Sequence, residues 1–284
     1  MTIPAESINN INTMSPVGQI DVQQSLETFF DQHAVFTVEE VDQFLERFRT
    51  GNRNTRKALL AYYKKRGRIV SVRRGLYGVV PRGAEPGKYP VDPYLIASKL
   101  TPDAVLSHHT ALEFHGKAYS VFKTFTFTSG MKTLPFTYQS HSYVCIPSPG
   151  SGKWILSSTR SGITVRVSSY ERTLVDVLDR PDLSGSWEEI WRSLESIEFF
   201  DLDAILEYVT FLGNSTTAAR VGFFLDQHSE TLMVNNVFLE KLQRLIPGQP
   251  HYISRKYRKN CHLVREWNLM VPDEIINRSW GEVL

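Results

Sequence analysis

Between Asn54 and Val80 the chain changes period without changing the sign of its charge. The stretch reads "NTRKALLAYYKKRGRIVSVRRGLYGVV", with eight basic residues and no acidic one. In its first half Leu59, Leu60 and Tyr63 fall within about 100° of one another on a helical wheel. Asn54, Lys57, Ala61, Lys64 and Lys65 lie roughly opposite. Arg53 sits at the front of this helix, and Arg56 falls beside the apolar arc. Gly67 suits the left-handed residue that closes a helix. Beyond it the pattern is extended, rich in Val, Ile and Tyr, and cut by Gly75, which predicts a hairpin tipped by Arg73, Arg74 and Gly75.

Charge sharpens this reading. Residues 1–46 carry eight acids and no Lys or Arg, and residues 47–84 carry twelve bases and no acid. The remaining residues hold twenty bases and twenty-two acids, so the formal net charge of +2 conceals a polarised N-terminal segment. Such polarisation points to a polyanionic partner; the plain alternative is a solvated amphipathic helix followed by an ordinary hairpin.

Upstream, "IDVQQSLETFFDQHAVFTVEEVDQFLERF" predicts two short helices. The first places Val22, Leu26, Phe29 and Phe30 at helical spacing. The second opens with Thr37 three residues before Glu40, a capping box, and Phe36 can staple onto Val41. "RTGNRN" then breaks the chain around Gly51, and the basic helix is expected from Asn52 or Asn54 to Gly67. Helix, helix, basic helix and basic-tipped hairpin is the order of a winged helix-turn-helix. We expect that domain over residues 21–85, after a polar, flexible arm over 1–20.

Double-stranded DNA is the expected ligand. Arg53, Asn54 and Lys57 stand where base edges can be read, since Arg or Lys matches guanine O6/N7 and Asn matches adenine N6/N7. Lys64, Lys65, Arg66 and Arg68 are placed to neutralise phosphates, and Arg73 and Arg74 to lie along the backbone or enter a narrow minor groove. Arg56 completes the expected DNA-facing set. No RNP aromatic motif or GXXG loop speaks for RNA.

Pro and Gly cluster from Pro81 to Pro93, after which residues 86–284 predict a larger mixed α+β domain. Helices are expected over 92–100, 108–115, 171–179, 186–197, 202–213, 216–228 and 235–245. Strands are expected near 122–128, 141–147, 154–159, 163–168 and 261–270.

Several fragments in this part imitate catalytic motifs. "PSPGSGKW" lacks the first Gly and the Ser or Thr after Lys153 that a phosphate-binding loop requires, and reads as a loop between strands. His108, His109 and His115 lack a chelating spacing, and Ser107 as a helix cap explains the stretch better. "GSWEEIWRSLESIEFFDLDAI" imitates a nucleotidyltransferase metal signature, yet Asp201 reads as a helix N-cap. "SRKYRK" places Arg255, Lys256, Arg258 and Lys259 around Tyr252 and Tyr257, either for nucleic acid or an acidic partner or as an exposed strand or loop. Cys145 and Cys261 have no CxxC spacing, which argues against a disulfide framework or zinc site. With no signal-peptide pattern and no run of about 18 apolar residues, a cytoplasmic protein is expected. No membrane contact, catalytic residue, metal or cofactor is expected.

Three stretches carry a family likeness: "GRIVSVRRGLYGVVP", "DPYLIASKLTPDAVLSHHTALEFHG" and "YERTLVDVLDRPDLSGSWEEI". In their combination the chain resembles the AbiEi antitoxins of bacterial abortive-infection, type IV toxin–antitoxin systems. The resemblance implies an N-terminal winged helix that represses its own operon, with operator contact over Arg53 to Arg74. It also implies a C-terminal domain that counters a nucleotidyltransferase-like toxin without a stable complex. Two other classes compete: a nucleic-acid-processing enzyme using Asp176, Asp179, Asp201 and Asp203, and an interaction protein whose basic face binds an acidic partner.

Overall fold

The computed structural model describes residues 25–47, 53–254, 256 and 258–280. The expected arm over 1–20, Val22, the break at Gly51, and Arg255 and Tyr257 lie outside these, as does the Arg53 side chain. The fold is mixed α+β. Its residues group into two compact units: one holds the chain through Ala104 with Phe136–His141 and Ser157–Val165, and the other holds the rest.

In the first unit a helix (α1, residues 25–32) leads into β1 (Val35–Thr37) and α2 (Val38–Glu46). The predicted capping box forms. Thr37 accepts from the Glu40 backbone at 3.3 Å, and the Glu40 carboxylate accepts from the Thr37 backbone at 2.8 Å. Then come α3 (Arg53–Lys65), β2 (Ile69–Arg73) and β3 (Leu76–Val79). The three strands form an antiparallel sheet in the order β1-β3-β2, with Phe36 opposite Tyr77 and Val70 opposite Gly78.

Gly67 takes φ +71 and closes α3. The Arg68 N–H returns to the Tyr63 carbonyl and the Gly67 N–H to the Lys64 carbonyl, both at 3.0 Å, which is the Schellman pattern. A fixed helix exit of this kind sets where the hairpin begins. Leu26, Phe29, Phe30, Phe36, Val41, Leu45, Leu59, Leu60 and Tyr63 close one apolar core under the sheet. Farther along, α4 (Pro93–Ser98) starts on Asp92, which accepts from the Tyr94 N–H at 2.9 Å.

The remaining chain contributes β4 (Val105–Leu106), α5 (His108–Phe114), β5 (Thr124–Ser129), β6 (Phe136–Tyr138), β7 (His141–Pro147), β8 (Ile155–Arg160) and β9 (Ile163–Ser168). These strands form a sheet in the order β6-β7-β5-β4-β9-β8. Helices α6 (Tyr170–Asp179), α7 (Trp187–Glu195), α8 (Leu202–Leu212), α9 (Ser215–Gln227) and α10 (Asn236–Gln243) follow. A small sheet, β10 (His251–Tyr252), β11 (Cys261–Val264) and β12 (Leu269–Pro272), precedes the short α11 (Asp273–Ile276).

The expected single strand over 261–270 is therefore two strands. A 3-10 turn at Arg265–Trp267 and left-handed Asn268, φ 48, fold the second back antiparallel on the first. Trp267 is buried against α9, where a β-carbon on Gly222 would lie 1.9 Å from the indole. Among the described residues no helix is long and apolar enough to cross a membrane.

Candidate nucleic-acid interface

Helix α3 sorts its side chains as the wheel demands. Leu59, Leu60 and Tyr63 are buried, while Asn54, Lys57, Ala61, Lys64, Lys65 and Arg66 are exposed. Phe30 packs edge-on against Tyr63, with ring centroids 4.9 Å apart. Burial, reinforced by the Glu27 carboxylate, pushes the Tyr63 phenol up to about 12. The apolar face is thus locked inward, which fixes the direction of the opposite, cationic face.

The ten expected contact residues divide by what they touch. Arg56, at the margin of the apolar arc, forms an ion pair with Asp42 of α2. Arg68 leaves the helix and turns inward. Its Nε lies 3.0 Å from Glu27 and its Nη2 2.6 Å from Asp31, both on α1, and its Nη1 donates to the Val80 carbonyl at 2.6 Å. Arg82 also reaches Glu27, at 3.1 Å. Acids of the N-terminal segment therefore neutralise particular arginines from within the unit.

Among the described residues no carboxylate pairs with Lys57, Lys64, Lys65, Arg66, Arg73 or Arg74. Arg66 lies over the Tyr62 ring, 5.2 Å from its centroid, and donates to the Tyr62 hydroxyl. Only the backbone of Arg53 is described, at the first position of α3.

The hairpin turn is Arg74-Gly75, with Gly75 at φ +84 and open space where a β-carbon would stand. The Gly75 carbonyl accepts from the N–H of Val38, the first residue of α2, at 2.9 Å. This bond ties the turn to the start of that helix. Between α3 and the turn runs a groove of about 660 Å³, with Arg56, Lys57, Lys64 and Arg74 on its walls and Glu39 as the acidic side chain among them. Of these cations Arg56 is neutralised by Asp42, while Lys57, Lys64 and Arg74 pair with no described carboxylate, and a groove lined by such cations attracts anions.

The sequence motifs of the second unit occupy separate structural roles. His108 is buried with its Nδ1 3.0 Å from Ser107 Oγ, and takes φ +53. Ser107 stands at the N-cap position, but its side chain makes no cap bond; this corrects the expected capping role, because the hydroxyl meets His108 instead. His109 places Nε2 3.0 Å from Glu189, while its Nδ1 is 3.1 Å from Glu113 without hydrogen-bond geometry. His115 Nε2 meets the Ser168 carbonyl at 2.7 Å.

"PSPGSGKW" runs through the loop between β7 and β8. Asp201 caps α8 by accepting from the Ala204 N–H at 3.1 Å. Asp176 accepts from Arg172 and from the Tyr208 hydroxyl, and Asp179 from Asn214 and Thr217. Asp203 lies in the first turn of α8. Among the described residues no group of three or more His, Cys, Asp or Glu side chains is placed to hold a metal ion. In the late basic stretch Lys256 pairs with Asp182 at 2.8 Å and Arg258 covers Tyr252.

No family model and no curated protein matches the chain. One solved structure, the crystal structure of the Rv2827c protein from Mycobacterium tuberculosis, is similar with a TM-score of 0.59 and 17% identity. The likeness covers 89% of this chain and 92% of that one, and it extends to the fold alone.

Proposed function

We propose that the N-terminal part of the chain is a winged helix-turn-helix bound to double-stranded operator DNA, and that the protein is a transcriptional autorepressor and AbiEi-type antitoxin. The element order α1-β1-α2-α3-β2-β3 with sheet order β1-β3-β2 supports the winged-helix reading. The observation that carries DNA binding is the partition of the cations. Arg56, Arg68 and Arg82 are spent on internal acids, while Lys57, Lys64, Lys65 and Arg74 stay exposed along or beside one groove.

In this reading α3 lies in the major groove with Arg53, Asn54 and Lys57 toward base edges. Lys64, Lys65 and Arg66 take phosphates at the groove wall, and the wing pair Arg73 and Arg74 follows the backbone. Arg56 and Arg68 move to a supporting role, holding α3 and the hairpin against α1 and α2. The antitoxin half of the proposal rests on the three family-like stretches. Its partner is a nucleotidyltransferase-like toxin, countered without a stable complex.

The test is binding of the purified full chain to its own promoter fragment against a scrambled duplex of equal length. Tighter binding to the promoter with a steep salt dependence is expected. Equal, weak binding to both would overturn the operator reading.

A further inference from the structure

A hairpin roughly sixty residues beyond the wing in sequence belongs to the same compact unit. It is the turn between β6 and β7, Phe136–His141, with Gln139 and Ser140 at φ 45 and 62 making the reversal. The turn is clasped by the Gln139 carboxamide. Its Oε1 accepts from the Val91 N–H at 3.0 Å, and its Nε2 donates to the Tyr89 carbonyl at 2.8 Å. Val91 in turn lies on Gly78 of β3, where a β-carbon would come 2.7 Å from its Cγ2. At the other end of the hairpin the Phe136 ring lies beneath the guanidinium of Arg73, 5.2 Å from centroid to Cζ. A closed circuit results: β3 to Val91, Val91 to the turn, β6 to Arg73 at the end of β2.

We propose that Phe136 is a positioning residue for the wing, its ring holding the Arg73 guanidinium in a fixed pose from which it takes a DNA phosphate. This rests on the DNA-binding reading above. A guanidinium held over an aromatic face by cation–π attraction gives up none of its N–H donors to that contact, and they stay free for bidentate contact with phosphate oxygens. The contact also removes rotamer freedom from a long side chain before DNA arrives, so less ordering cost falls on the binding step. Arg74 has no such seat among the described aromatic contacts and serves as the internal comparison. The wing is thus assembled from two chain segments distant in sequence.

The test is a double-mutant cycle on promoter affinity in the full chain, each variant first shown to unfold cooperatively at the wild-type midpoint or close to it. Phe136→Ala should weaken binding about two- to fivefold and lower the salt slope by about one unit. It should add nothing once Arg73→Ala is present, yet multiply fully with Arg74→Ala. Phe136→Tyr should restore affinity, whereas Phe136→Leu, which keeps apolar volume without the ring, should not; Leu carries the test if the Ala variant fails to fold. Wild-type affinity in Phe136→Leu, or full multiplication with Arg73→Ala, overturns the positioning role while leaving DNA binding intact. An unchanged affinity and slope in Arg73→Ala itself removes the wing contact and this inference with it.

Discussion

Arg68 Nε meets Glu27 Oε2 at 3.0 Å, so the residue just past the Gly67 exit of α3 is bound to the helix that opens the described chain. The Arg68 side chain is only 10% exposed and sits over Phe30, while Asp31 takes its other edge at 2.6 Å. Arg68→Ala leaves Asp31 without its cation, Glu27 with Arg82 alone and the Val80 carbonyl without its donor, and should cost about 1–3 kcal/mol of unfolding free energy. Lys65→Ala, one turn away and exposed, should stay within about 0.5 kcal/mol of wild type. Chemical denaturation of both variants checks this. Equal midpoints would make the Arg68 network inconsequential for stability.

If the unpaired cations clamp phosphates, affinity for a promoter fragment should fall steeply with salt. Replacing Arg73 and Arg74 together by Ala should weaken binding and flatten the log–log slope by about one to two units, roughly one per lost phosphate contact. The measurement is a salt titration by fluorescence anisotropy. An unchanged slope in the folded variant would take the hairpin out of the interface.

Readout and anchoring separate along α3. Arg53→Ala or Lys57→Ala should lose about 1–3 kcal/mol on the cognate site and discriminate less among sites. Lys65→Ala should weaken binding to all sequences alike. A competition series with single base-pair changes distinguishes these outcomes. Identical profiles for Lys57 and Lys65 variants would mean that α3 is rotated in the groove relative to the proposed pose.

Much of this geometry was legible because it is local. The α3 wheel, the Thr37–Glu40 capping box, the Gly67 exit and the Asp201 cap each depend on residues within a few positions of one another. What the wheel could not supply was the fate of each arginine. Arg68 looks as solvent-facing in sequence as Lys65, and its assignment depends on a carboxylate 41 residues earlier. The same limit hid β1 and β4. Strands of three and two residues carry no period of their own and exist only through their partners, Val35 opposite Gly78 and Leu106 opposite Phe127. It also hid the Arg265–Trp267 turn, where no Gly or Pro marks the reversal and left-handed Asn268 makes it instead. The Phe136–Arg73 contact joins positions that no pattern of spacing links.

His108 supplies a pH signature for the second unit. Burial holds its imidazole below the ordinary range near 6.5, the Asp176 carboxylate only partly opposing that effect. The folded state therefore binds fewer protons than the unfolded one just below that pH, so stability is present above about pH 6.5 and is lost progressively as pH falls. His115, lowered chiefly by burial, acts in the same direction. His108→Gln, an uncharged replacement, should flatten the stability profile between about pH 6.5 and 5, where free carboxylates are still ionised. Urea midpoints measured at half-unit pH steps read this out, and an unaltered profile would assign the dependence to other groups.

The last prediction concerns whether DNA binding and toxin neutralisation are separable. Lys57, Lys64, Lys65 and Arg74 are exposed and pair with no described carboxylate, so changing all four to Gln should leave the fold intact. The proposal expects this full-length variant to lose promoter binding and to derepress a reporter, yet still rescue growth against a co-expressed nucleotidyltransferase-like toxin. The comparison is full-length protein carrying Asp201→Ala and Asp203→Ala. Removing the Asp201 cap from α8 should cost about 1 kcal/mol, and rescue should persist if the carboxylates have only structural work. Loss of rescue in that variant, with normal folding and expression, would put a carboxylate site in the second unit and revive the enzyme reading. Loss of rescue in the four-cation variant would instead place the basic face itself in toxin neutralisation, and the two activities would then share one surface.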